Sequence, residues 1–117
     1  MQLGGGTYNV DIEFNTFYQT AATIGPGTQG IFVDSGNNGA SVVGANTASY
    51  NTIVTLTGAR VNYIIAALAL SGSGNTFEIA SNYIDPSGNN GSVYKYTSSQ
   101  NTQVDNINML TGAALND

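Results

Sequence analysis

The chain of 117 residues has no histidine, no cysteine and no tryptophan, and Arg60 and Lys95 are its only basic side chains. Without histidine there is no imidazole base to activate a serine or cysteine nucleophile. Without histidine and cysteine there is neither a zinc site of the usual ligands nor haem ligation through them. Two cations against seven carboxylates give a net charge of -5, which offers no counterion-releasing surface to a phosphate backbone and excludes nucleic acid and anionic membranes as expected partners. Long apolar runs are missing too: the longest, Ile64 to Leu70, falls far short of the roughly 20 residues that span a bilayer as a helix. The first six residues, Met1 to Gly6, lack the basic and apolar regions of a secretory signal, so the expectation is cytoplasmic synthesis or a mature or excised fragment.

Gly, Asn, Thr and Ser together fill nearly half the chain, while charged residues supply only 8%, against about 25% in ordinary globular domains. Leu, Ile, Val and Phe stand just above the roughly 20% below which chains tend to stay disordered, and disordered chains also carry high charge. The reading is one folded domain with a neutral polar surface.

Tyr8, Val10, Ile12 and Phe14 alternate with Asn9, Asp11, Glu13 and Asn15, a period of two that puts the first set in a core and the second in solvent. Gly30 to Asp34 reads as a second strand, joined through Ser35-Gly36-Asn37-Asn38-Gly39 to a partner at Ala40 to Val43, since Asn-Gly is a hairpin turn signal. The same pentapeptide returns as Ser87 to Gly91, between Tyr83-Ile84-Asp85 and Val93, Tyr94 and Tyr96, and reads as recurrent turn chemistry rather than a solenoid repeat. Tyr50 to Thr57 and Val61 to Leu70 are further strands, the latter apolar on both faces and so buried on both sides or lying at a subunit interface. Thr76 to Tyr83 is expected to place Phe77, Ile79 and Tyr83 on one face and Glu78 and Asn82 on the other. About eight short strands with turn signals roughly every 8 to 12 residues predict an all-β fold, a single antiparallel β-sandwich or jelly-roll-like domain. Its expected divisions are a flexible arm over 1–6, the sandwich over 7–100 and a tail over 101–117 that takes a helical turn or docks on a neighbouring subunit.

Few residues suit chemistry. Asp34 to Gly39 superficially matches a calcium loop, but Gly36 stands at its third position and Ala45 at its twelfth, where a bidentate carboxylate is needed. Asp34 and Asp85 are better read as caps that bond the backbone of their own turns. Asp11 and Glu13 stand roughly 7 Å apart along a strand, a spacing that a glycosidase pair uses, yet alternation leaves both in solvent without the desolvation a general acid needs. Thr and Ser hydroxyls are many, with no base to activate them. Gly4-Gly5-Gly6 lacks the lysine and strand-to-helix setting of a phosphate loop. No catalytic residue, cofactor or metal ligand is therefore expected. Tyr63, Ile64, Ile65, Leu68 and Leu70 are the candidate subunit interface. Tyr94 and Tyr96, on one strand face opposite Lys95, are core or interface residues or, in an alternative reading, stacking platforms for sugars.

In size, composition and strand pattern the whole chain resembles the small β-sandwich proteins of tailed-bacteriophage virions, both capsid decoration (cement) proteins and the tips of tail fibres and tailspikes. The resemblance implies a non-enzymatic structural protein on the virion surface, assembled in the host cytoplasm. Its first implication is a cement protein, a homo-oligomer with a trimer favoured, that clamps the major capsid protein. The alternative is a receptor-binding module for a host surface glycan. An apolar run and open sheet edges, which association would cover, support the assembly role.

Overall fold

The computed structural model describes residues 2–3, 9–19, 29–33, 44–56, 63–67, 76–89, 93–96 and 101–115. These form β1 (Gln2–Leu3), β2 (Asp11–Glu13), β3 (Thr16–Gln19), β4 (Gln29–Val33), β5 (Ala45–Ser49), β6 (Thr52–Thr55), β7 (Tyr63–Ala67), β8 (Thr76–Ala80), β9 (Tyr83–Asp85), β10 (Tyr94–Tyr96), β11 (Asn101–Val104) and β12 (Ile107–Asn108). The strands fall into three four-stranded sheets: sheet A in the order β1-β4-β7-β10, sheet B in the order β11-β8-β5-β2 and sheet C in the order β12-β9-β6-β3. Every strand pairing among the described residues is parallel. The chain visits A, B and C in turn and returns one coil further on, which makes it a parallel β-solenoid.

This overturns the antiparallel sandwich, although the all-β reading stands. Tyr83–Asp85 and Tyr94–Tyr96, expected as the arms of a hairpin, belong to different sheets. The hairpin expected around Ser35 to Gly39 lies outside the described residues. Segments assigned above to an arm and a tail contribute strands: β1 pairs with β4, and β11 and β12 extend sheets B and C. Recurrent coils, and not merely recurrent turns, are the organising unit.

Coils superpose in register, so equivalent positions of successive coils stack on one another. Ile12, Ala48, Ile79 and Gln103 align in sheet B, and Phe17, Ile53, Ile84 and Asn108 align in sheet C. Ile12, Ala48, Ile53, Phe77, Ile79 and Ile84 are buried with Ile64, Ile65 and Tyr94 in one core cluster. The alternate positions Asp11, Glu13 and Glu78 face solvent, as a period of two requires.

Between sheets B and C each coil bends at the same device. Phe14, Tyr50, Ser81 and Asp105 all take positive φ, at 56, 56, 54 and 53°, and each is followed by an asparagine: Asn15, Asn51, Asn82 and Asn106. One residue in the left-handed region turns the strand, and the asparagine that follows points into the corner. Its amide then does for the bend what backbone groups do within a sheet. The main-chain N–H of Asn15 donates to Asn51 Oδ1 (3.0 Å), that of Asn51 to Asn82 Oδ1 (2.9 Å) and that of Asn82 to Asn106 Oδ1 (3.0 Å). The Nδ2 groups of Asn51, Asn82 and Asn106 donate back to the carbonyls of Ile12, Ala48 and Ile79. Asn51, Asn82 and Asn106 are fully buried, and each has both its amide oxygen and its amide nitrogen hydrogen-bonded, as buried polar side chains generally do.

The bend also corrects three side-chain assignments. Thr76 to Tyr83 is two strands rather than one, so Asn82 is buried and Tyr83 exposed, and Phe14 points out of the core. The extra bend residue shifts the alternation by one step, moving every later side chain to the opposite face.

Positive φ costs an L-residue about 1–2 kcal/mol, and glycine escapes that cost while losing about 0.5–1 kcal/mol through its freer unfolded chain. Ser81 makes no side-chain hydrogen bond that a substitution would break, and its backbone N–H bond to Val104 O (2.8 Å) survives. Ser81→Gly is accordingly expected to stabilise the protein by about 0.5–1 kcal/mol, read as a rise in the urea midpoint. Ser81→Val, β-branched at the same φ, should lower it.

Candidate functional site

The candidate site follows from which residues the bend turns outward. Phe14 and Tyr50 occupy equivalent corners of successive coils, and their rings stack with centroids 5.2 Å apart and planes 6° from parallel. That separation is close to the spacing of about 4.8 Å between neighbouring strands, so the register itself holds the pair. Phe14 is 76% exposed and Tyr50 55%. Beside them on the outer side of sheet C, Thr16, Thr52 and Tyr83 align across three coils, and Tyr18 aligns with Val54. Tyr18 and Tyr83 are 62% and 56% exposed.

Sheet B adds oxygen atoms on the other side of the corner. Asp11 and Glu13 are exposed, and Asp11 Oδ1 accepts a hydrogen bond from Thr47 Oγ1 (2.9 Å). Asp85 is not available in the same way. The residue is 7% exposed, and its carboxylate accepts from the backbone N–H of Ser87 (2.9 Å) and from the Ser87 hydroxyl, which is the turn-capping role expected of it. Among the described residues there is no pocket and no gathered group of three or more His, Cys, Asp or Glu. The site is an open face of aromatic rings, hydroxyls and carboxylates on a rigid support. Such a face can stack on the apolar side of a polyhydroxylated ligand and bond its hydroxyls.

The residues expected as sites are placed differently. Ile64 and Ile65 have no exposed surface and lie inside the core of this chain, with both backbone N–H groups directed to Val93 O (2.8 and 3.2 Å). Neither presents surface to a second subunit. Tyr63 begins β7, with nothing described of its side chain, and Leu68 and Leu70 lie outside the described residues. Tyr94 is 3% exposed and part of the core, so it is no stacking platform. Tyr96 pairs with Ala67 across β10 and β7, and its side chain is outside the described set. The exposed rings were missed because Phe14 reads as the end of an alternating strand. Their signal was the repeated run Phe14-Asn15-Thr16 and Tyr50-Asn51-Thr52.

No family model matches the chain, and neither a curated protein nor a solved structure shows significant similarity to it.

Proposed function

We propose that this chain is a non-enzymatic recognition module of a phage tail fibre or tailspike, whose aromatic corner contacts a host surface glycan. The observation that carries this reading is the stacked, exposed Phe14–Tyr50 pair, joined on one face by Tyr18 and Tyr83. Rings left in water at four places on a small domain form an apolar surface suited to binding, and the solenoid keeps them in place without a pocket. The carboxylates nearby and the scarcity of cations favour a neutral, hydroxyl-rich ligand over a phosphorylated one. The virion setting rests on the likeness in size and composition described above. The support that the cement reading drew from the apolar run is weakened, because Ile64 and Ile65 are already covered within the chain.

On an array of bacterial surface polysaccharides the protein is expected to bind at least one glycan. Phe14→Ala and Tyr83→Ala should each weaken that binding by about 1 kcal/mol, a factor of roughly five, with the fold retained because both side chains are exposed. Phage particles lacking the protein should keep their heat resistance and lose adsorption. The reverse, normal adsorption with heat-labile particles, would overturn the glycan reading and favour the decoration role.

A further inference from the structure

The asparagine ladder has a direction, and its two ends are chemically different. At each internal step the Oδ1 of one asparagine accepts N–H groups from the coil before it. Asn51 Oδ1 accepts from the main-chain N–H and Nδ2 of Asn15 (3.0 and 3.2 Å), Asn82 Oδ1 from those of Asn51 (2.9 and 3.0 Å), and Asn106 Oδ1 from those of Asn82 (3.0 and 2.8 Å). Asn15 has no coil before it among the described residues. Its Oδ1, exposed at the first corner, accepts no hydrogen bond there, while its Nδ2 is used on Glu13 O and Asn51 Oδ1.

At the other end Asn106 is fully buried. Its Nδ2 donates to Ile79 O (2.9 Å), but its main-chain N–H and second Nδ2 proton, which in the earlier coils reach the next asparagine, find no acceptor among the described residues. The reason is the cap. Residues 109–115 fold back over β12, with an antiparallel bridge between Ile107 and Ala114. Asn108 N–H donates to Ala113 O and Leu115 N–H to Asn106 O, each at 2.8 Å. In the coils before, the carbonyls of Asn15, Asn51 and Asn82 accept from the following coil, at Thr52, Tyr83 and Ile107. Leu115 therefore takes the place of a next coil at the carbonyl and leaves the ladder's donors buried and unused.

We infer that the two ends are complementary surfaces for head-to-tail joining, in which the last coil of a second copy, its 109–115 cap displaced, docks on the first coil of this one. The occupant follows from polarity. Two first coils would oppose acceptor to acceptor and two last coils donor to donor, whereas last on first gives Asn15 Oδ1 the two N–H groups that every other ladder asparagine receives. The contact is heterologous and does not close, so it propagates. The cap is what prevents open-ended growth in the resting chain, as terminal units do in solenoids generally. The inference stands apart from the glycan reading, since it uses the ends of the coil and not its outer face.

Leu115→Pro in the full chain deletes the N–H that holds the cap on Asn106 O. In sedimentation velocity the variant is expected to show a weight-average mass that rises several-fold with concentration. Excess wild-type chain, with Asn15 of its first coil exposed and its last coil capped, should act as a stopper and reduce the size. Asn15→Leu in the wild-type stopper should abolish stopping, and Glu13→Gln on the same coil should not. A folded Leu115→Pro protein that sediments like wild type at every concentration overturns the inference. Should the variant lose its β-sheet circular dichroism, a free peptide of residues 101–108 is titrated into wild-type protein. The inference then requires a shift of the Asn15 side-chain amide resonance that the Asn106→Ala peptide does not cause, and no shift at millimolar peptide overturns it.

Discussion

Asn82→Leu is expected to cost about 3 kcal/mol of folding stability, because it leaves buried backbone groups without partners at about 1–3 kcal/mol each. The substitution removes both bonds that Asn82 Oδ1 accepts from Asn51 and both that Nδ2 donates, to Ala48 O and Asn106 Oδ1 (2.8 Å each). Not all are lost outright: Asn51 Nδ2 still reaches Ile12 O, and Asn106 Oδ1 still accepts the Asn82 main-chain N–H. The Asn51 main-chain N–H and the Ala48 carbonyl lose a partner in a region closed to water. Leucine's extra apolar burial offsets part of this, which keeps the expected figure below the sum of the two penalties. Asn15→Leu provides the comparison. Its side chain is exposed at the end of the ladder, water can replace what is removed, and a cost of about 1 kcal/mol or less follows. Urea titration of the two variants, with equal slopes, checks the difference. Equal costs at the two positions would mean that the ladder does not hold the coils together.

Phe77→Ala is expected to cost about 3–5 kcal/mol, the usual range for truncating a buried phenylalanine. Phe77 is among the largest fully buried side chains and aligns between Asn46 in the coil before it and Asn101 in the coil after it. Much of the cost of such a cavity depends on whether the surroundings collapse into it. Here collapse is resisted. The coil spacing is set by backbone pairing on three sheets, and Asn46 is itself tied to Gly44 O and Thr76 O. A domain with a total stability of about 5–15 kcal/mol would lose a large part of it, seen as a fall in the thermal midpoint of many degrees. Tyr83→Ala, on an exposed position of the same coil, should move the midpoint little. A small effect at Phe77 would mean that the interior is loosely packed rather than register-locked.

Several features were legible from residue types and spacing. Alternation about Ile12 and from Phe77 to Ile79, with Asp11, Glu13 and Glu78 opposite, identified strand segments and their buried faces, because a pleated strand shows its two sides in a period of two wherever it lies. Asp85 before Ser87 marked a capped turn for an equally local reason: the carboxylate bonds the chain two residues on. Neither inference depends on a partner strand.

The direction of pairing did depend on one. A parallel and an antiparallel strand carry the same alternation, and only the connection that brings the next strand alongside tells them apart. The repeat was hidden by unequal coils, since successive ladder asparagines are separated by 36, 31 and 24 residues. A repeat sought at one fixed period therefore finds nothing, and the paired Ser-Gly-Asn-Asn-Gly turns suggested hairpins instead. Asparagine in particular could not be read alone. Asn51, Asn82 and Asn106 are polar by type, and their burial becomes tolerable only when stacked coils give each amide oxygen and nitrogen a partner. The same stacking turned Phe14 from expected core into an exposed partner of Tyr50, and it placed Ile64, Ile65 and Tyr94, readable from sequence as core or as interface, in the interior. Local chemistry by itself determined that this chain is built of short strands and tight bends with few charges, most of them carboxylates. The tertiary structure decided which way the strands run, which asparagines are buried and which rings meet the solvent, because each of these is a property of contacts between coils that no single coil contains.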